Sequence, residues 1–158
     1  MDEKDLIDEL VREWNVECPE LDPSAMGVVG RIMRLGRRFE RDATLALKPL
    51  GLPYTDFDII ATLRRSGKPY ALTPGELASA VLLTSGAMTA ALDRLEGAEL
   101  VTRHADPDDR RVRSARLTRR GVRLAERAAS KRFACAEEAL PGLSRAERDQ
   151  LVALLRKI

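Results

Sequence analysis

"LTPGELASAVLLTSGAMTAALDRLEGAELVTRHADPDDRRVRSARLT", residues 72–118, decides the fold. Its first part carries a strong helix start. Thr73 suits a cap, Pro74 the first helical position, and Glu76 can reach back to close a capping box. A short helix from Pro74 to Ala80 follows. A second helix opens at Thr84 or Ser85 and runs to about Ala98. Two helices joined by so short a turn read as a helix-turn-helix. The period then changes. "LVTRHA" and "VRSARLT" alternate in polarity on either side of "DPDD", the pattern of a β-hairpin with a Pro/Asp tip. A helix-turn-helix followed at once by a hairpin is a winged helix.

Helices extend from this centre in both directions. Upstream, Phe57, Ile59, Ile60 and Leu63 define a helix that stops at "SGKPY", with Thr55 and Asp58 spaced for a second capping box. Before it, Ser24 can start a long helix to about Leu47, with an apolar stripe through Val28, Val29, Ile32, Leu35, Phe39, Ala43 and Ala46. Pro49 and Gly51 end it. The first segment, Asp2 to about Asn15, places Leu6, Ile7, Leu10 and Trp14 at helical spacing. Downstream, Thr118 can cap a helix to about Leu140. Ser144 and Glu147 suit a capping box before a last helix with Leu151, Val152, Leu154 and Leu155 at core spacing. The expected fold is mainly α with a small β-wing. The whole chain, 1–158, reads as one domain: helices in 1–48 and 119–158 flank a lobe at 52–118.

Composition narrows the function. The chain of 158 residues is long enough to bury a core. No apolar run reaches membrane-spanning length, so no membrane partner is expected. The acidic start, "MDEKDLIDEL", has no signal-peptide core, and a cytoplasmic location is expected. Cys18 and Cys135 are too few for a disulfide framework, and no Cys/His spacing implies a metal. His104 is the single histidine. It has no nucleophile or base beside it, so neither an enzyme nor a cofactor is expected. Charge is unevenly spread. Residues 1–22 hold nine acidic groups against two basic ones, and residues 101–132 hold eleven basic groups against four acidic ones. The second cluster is an electrostatic footprint for a polyanion, or a solvated helix face.

In the helix after Thr84, Met88, Ala91, Leu92 and Leu95 fall on one face. Gly86, Thr89, Ala90 and Asp93 fall opposite, flanked by Arg94. The outward face is small near its N-terminus, which lets a helix approach a major groove closely. Ser85 and Thr89 can bond to base edges or phosphates, and Ala90 can touch a thymine methyl. Thr84 and Ser85 can equally serve only as caps. At the hairpin tip, Arg110 and Arg111 can enter a narrow minor groove. Asp106, Asp108 and Asp109 can brace them or form turn bonds. Arg103 shares a strand face with Val101 and is expected to point inward, toward a partner such as Asp58. Thr102 and His104 point the other way, toward phosphate or solvent.

With "DPDDRR", "RSARLTRRG", the helix-turn-helix and the flanking helices in this order, nearly the whole chain resembles the MarR family of winged-helix transcription regulators. The resemblance implies an obligate, triangular homodimer, joined by its N- and C-terminal helices, on double-stranded DNA with a pseudo-palindromic operator. Two recognition helices then meet two half-sites one duplex turn apart. "FDIIATLRRSGKPYALTPGEL", "SGAMTAALDRLE" and an N-terminal helix bearing Trp14 resemble the urate-responsive subgroup. That likeness implies a small anionic or aromatic ligand held by Trp14, Asp58 and Arg103. Ala91 stands where the subgroup carries a second arginine, which removes one oxyanion donor.

The expected activity is therefore a DNA-binding repressor released by a ligand that prefers the DNA-incompetent state. Two alternatives stand beside it. One is a thiol redox sensor built on Cys18, which lies among Glu17 and Glu20 rather than the cations a reactive thiol needs. The other is a winged-helix protein-interaction module without DNA binding.

Overall fold

A computed structural model describes residues 5–81, 83–105 and 113–158, without the side chains of 105 and 113. The described residues form seven α-helices and three short strands. They gather into two compact units, Met1–Asp42 and Ala43–Ile158.

The first unit holds α1 (Leu6–Glu17) and most of α2 (Ser24–Leu47). Asp5 caps α1 by accepting from the Ile7 N–H at 2.9 Å. The same carboxylate accepts from Arg31 Nε at 3.0 Å, and Arg31 also donates to Asp8 at 2.7 Å. These charges tie α1 to α2. The Ile7 backbone bond, opposed by burial and helped by Arg31 and Arg34, holds the Asp5 carboxyl below its ordinary value. Ile7 is buried, and a Cβ on Gly30 would come within 3.0 Å of its side chain. The helices approach closely because Gly30 has none. Most of the expected apolar stripe of α2 lies in the open: Val28, Val29, Ile32 and Leu35 are exposed, as is Trp14 on α1. Only the end of the stripe, with Ala43 and Leu47, is buried, in the second unit. Periodicity marks an apolar face but not what covers it.

The second unit carries the core. A 3-10 turn at Lys48–Leu50 closes on Gly51, whose φ of 62° is left-handed and free of strain only for glycine. Then follow α3 (Tyr54–Arg65), β1 (Ala71–Leu72), α4 (Pro74–Val81), α5 (Ser85–Gly97), β2 (Val101–Ala105), β3 (Arg113–Leu117), α6 (Arg119–Glu138) and α7 (Arg145–Leu155). Leu47, Ile59, Ile60, Leu63, Leu77, Met88, Leu95 and Val101 are its largest fully buried side chains. Each such burial contributes about 1.5–3 kcal/mol before the cost of ordering is counted. The hairpin gains an unexpected third strand. The sheet order is β1-β3-β2, antiparallel throughout, with Ala71 opposite Arg116 and Arg103 opposite Ala115. A two-residue strand is too short to leave a period-2 signal.

Several caps match their expected residues. Thr73 and Glu76 exchange backbone bonds at the start of α4. Thr118 accepts from the Gly121 N–H at 2.9 Å to open α6. Ser144 and Glu147 form the full capping box of α7. A capping box at Thr55 and Asp58, the alternative role open to Asp58, is absent, because α3 starts two residues before the start such a box would set. Its N-cap is Pro53, with no side-chain cap bond, and Thr55 is already helical. Gly121 is where α6 passes closest to the sheet edge: a Cβ there would lie 2.0 Å from the Leu100 carbonyl oxygen. Arg148 anchors α7, donating to Glu137 at 2.7 Å and to the Leu140 and Leu143 carbonyls at 3.1 and 3.0 Å. No residue of α7 is buried, so the apolar face of Leu151, Val152, Leu154 and Leu155 is exposed in the single chain.

Candidate nucleic-acid interface and ligand cleft

The helices α4 and α5 bend by 109° across their short connection, within the usual helix-turn-helix range of about 90–120°. The buried face of α5 is Met88, Ala91, Leu92 and Leu95, as its spacing predicts. That anchoring turns Ser85, Gly86, Ala87, Thr89 and Ala90 outward, all exposed. Thr84 is the N-cap, accepting from the Ala87 N–H at 3.3 Å. Ser85 is the first helical residue, and its carbonyl accepts from the Thr89 hydroxyl at 3.0 Å. The helix thus presents small side chains at its N-terminal end, the form that suits a groove wall.

Two ion pairs grip this helix. Arg94 donates through Nη2 to Asp56 Oδ1 at 2.6 Å and through Nε to Asp56 Oδ2 at 3.3 Å, joining α5 to α3. Arg103 on β2 pairs with Asp93 and lies 3.4 Å from Glu96, joining α5 to the sheet. The period-2 argument holds for Arg103. Val101 and Ala115 are buried on its face, and its side chain is only 25% exposed. Its expected partner does not. Asp93 and Glu96 meet Arg103, whereas Asp58 lies on α3 in the field of Arg65 and Arg132. Partial burial pushes the Asp58 carboxyl up, and those two arginines pull it down. Asp58 and Arg103 share no hydrogen bond or ion pair; Arg103 is met by two acids near the C-terminal end of α5.

Arg103 also lines a cleft of about 80 Å³ with Pro74, Thr89, Leu92 and Ala115. Its Nε is buried without a hydrogen bond, since the approach to Glu96 lacks bonding geometry. The cleft therefore combines apolar walls, the Thr89 side chain and an arginine whose charge is already met by Asp93 and Glu96. Ala91 is 1% exposed within the core and offers no donor. Trp14, 48% exposed, belongs to the other unit. On the outer sheet face, Thr102 Oγ1 and His104 Nε2 lie 2.9 Å apart, both exposed. Arg110 and Arg111, with the three aspartates around them, lie outside the described residues. Cys18 and Cys135 are half-buried free thiols. Among the described residues no group of His, Cys, Asp and Glu gathers to hold a metal, and no single helix is long and apolar enough to cross a membrane.

The MarR family model, in its MarR_2 form, matches residues 50–112, the helix-turn-helix and hairpin. The HTH-type transcriptional regulator PecS of Dickeya dadantii is 32% identical over 152 residues, 96% of this chain and 92% of that protein. The chain belongs to the MarR family. Among solved structures, a cysteine-to-serine variant of Escherichia coli MarR in complex with operator DNA superposes with a TM-score of 0.72 at 25% identity. It covers 91% of this chain and 96% of that one. A Mycobacterium tuberculosis MarR family protein in complex with p-aminosalicylic acid superposes with a TM-score of 0.64 at 31% identity, covering 80% and 93%. This MarR-family chain is thus a winged-helix transcription regulator by kinship. The second helix of its helix-turn-helix is α5, and β2 and β3 are the strands of the hairpin that follows.

Two functional features escaped the sequence reading. Asp56 looks like any acid in the first turn of a helix, where the macrodipole favours it. The Asp93–Arg103 pair joins two elements at no fixed spacing. Pro74, read as a helix starter, also lines the cleft.

Proposed function

We propose that this MarR-family chain is a homodimeric repressor of a pseudo-palindromic operator, released by a small aromatic carboxylate bound at Arg103. The small exposed N-terminal face of α5 carries the DNA reading: Ser85, Thr89 and Ala90 meet base edges, and Thr84 presents the helix end to a phosphate. Arg94, Arg110 and Arg111 supply backbone or minor-groove contacts. A structural relative in complex with operator DNA supports duplex DNA as the partner.

The cleft supports the ligand reading, together with a relative's binding of p-aminosalicylic acid. A carboxylate there competes with Asp93 and Glu96 for one guanidinium. It also sets a negative charge beside two others, which is unfavourable at short range. The tie between β2 and α5 is weakened, and the population moves toward a form whose recognition helix no longer fits the groove. Asp58 and Trp14 remain residues that the subgroup likeness assigns to the ligand.

A duplex selected by the protein from a random pool provides the test. Salicylate, p-aminosalicylate and urate are titrated into the complex. Release by at least one of them is expected, with Arg103→Ala still bound to DNA but insensitive. Failure to select any duplex overturns the DNA reading. Release that persists unchanged in Arg103→Ala overturns the cleft.

A further inference from the structure

Asp56 is a buried acid that the activity described so far does not use. Its side chain is 7% exposed, while that of its partner Arg94 is 52% exposed. Burying a carboxylate is costly unless it is paired and hydrogen-bonded. Here the compensation comes from a side chain on the outward side of the recognition helix, one turn beyond Ala90. Such a pairing fixes the arginine as much as it neutralises the acid.

We propose that Asp56 is a positioning residue for DNA recognition: its carboxylate aims the Arg94 guanidinium of α5 at the duplex backbone. This rests on the reading of α5 as the helix that meets DNA. The geometry is side-on. Nε and Nη2 face the two Asp56 oxygens at 3.3 and 2.6 Å. A guanidinium has five N–H donors in a fixed plane. With one on Nε and one on Nη2 engaged, both on Nη1 and the second on Nη2 are left over from the pairing with Asp56, on a side chain that is half exposed. The anchor itself is rigid. Asp56 sits in the first turn of α3, beside Phe57, Ile59 and Ile60 in the core. A free arginine on a helix surface loses rotamer freedom when it binds a phosphate. Arg94 has surrendered that freedom on folding, so less is lost at the interface. The carboxylate hydrogen bond also holds the Arg94 guanidinium firmly protonated, raising its pKa further.

A pair that only braced α5 against α3 would make a different prediction from one that aims Arg94. Asp56→Asn raises the net charge of the DNA-facing lobe. If Asp56 merely braced or screened, a folded Asp56→Asn would hold DNA as tightly as the wild type or more so. If it positions Arg94, specific binding falls although the charge has risen.

The experiment measures affinity for a duplex selected by the wild-type chain and for a scrambled duplex, across a salt series. Thermal melting of each variant is followed in parallel. Asp56→Asn is expected to weaken the selected duplex about tenfold, the scale of one lost specific contact, without weakening the scrambled one. Arg94→Ala is expected to weaken it by a similar factor and to lower the salt slope by about one. The double variant is expected to be no weaker than Arg94→Ala alone, since both act through one group. Arg94→Lys keeps the charge but cannot make the side-on fork, and should bind as poorly as Asp56→Asn. Arg94→Lys, which leaves a cation beside the buried Asp56, keeps the test decisive if Asp56→Asn or Arg94→Ala fails to fold. The proposal is overturned if Arg94→Lys binds like the wild type, if Asp56→Asn binds as well or better, or if the single effects multiply in the double variant. A wild-type chain that selects no duplex would overturn the DNA reading itself. One that selects a duplex indifferent to position 94 would overturn only the role of Asp56.

Discussion

A single missing methyl group shapes the junction between α6 and the sheet. Gly121 donates to the Thr118 hydroxyl, and a Cβ on it would collide with the Leu100 carbonyl at 2.0 Å. The obstacle is backbone, so no side-chain rotation relieves it. The same carbonyl accepts from the Thr118 N–H at 3.0 Å and cannot easily move. Gly121→Ala should therefore destabilise the chain despite alanine's better helix propensity, by about 1–3 kcal/mol or more, the range for overpacking. Denaturant unfolding at neutral pH measures this, and an unchanged or higher midpoint would refute the close approach. In the sequence this glycine is only an oddity inside "TRRGVRL". Its meaning lies in the atom opposite, which belongs to a residue twenty-one positions earlier.

Helix ends are the elements most legible in the chain, because a cap is a local arrangement. Thr73 with Glu76, Thr84, Thr118, and Ser144 with Glu147 all act within three residues of themselves. The boxes at α4 and α7 also set a pH response. Bonds from Thr73 hold the Glu76 carboxyl below its ordinary 4.5, and bonds from Ser144 do the same for Glu147. A depressed folded pKa means stability that is fully present above the unfolded value. It is lost as pH falls through the folded value, so the window lies below about pH 4.5. Replacing both glutamates with glutamine, which can still accept from the cap N–H, should flatten the acid limb of melting temperature against pH. Equal acid limbs in the variant and the parent would rule out this contribution. The box that spacing allows at Thr55 and Asp58 shows the limit of local reading. The two residues had the right spacing, but Pro53 starts the helix before them. Proline suits a helix start, and it shifted the register by more than the motif tolerates.

Two apolar faces dominate the description at the scale of the whole molecule. Val28, Val29, Ile32, Met33 and Leu35 lie open along α2, and Leu151, Val152, Leu154 and Leu155 lie open along α7. Exposed apolar surface of this extent marks an interaction site. Under the homodimer proposal both faces are covered by a second copy. Leu151→Asp with Leu155→Asp should then shift the chain from dimer to monomer in light scattering. Operator affinity should fall steeply, because a monomer meets only one half-site. A double variant that stays dimeric would show that α7 is not the interface.

Periodicity, caps and turn residues, all local features, made the order of helices, the helix-turn-helix, the hairpin and the inward turn of Arg103 readable in advance. Each depends on residues a few positions apart, whose spacing is set by backbone geometry. Pairing at a distance was not readable. The third strand at Ala71–Leu72, the choice of Asp93 and Glu96 over Asp58 for Arg103, and the grip of Asp56 on Arg94 join segments far apart in the chain. Charge sign alone makes every acid a candidate for every arginine. Only packing of the core decides which acids come within reach of which arginine.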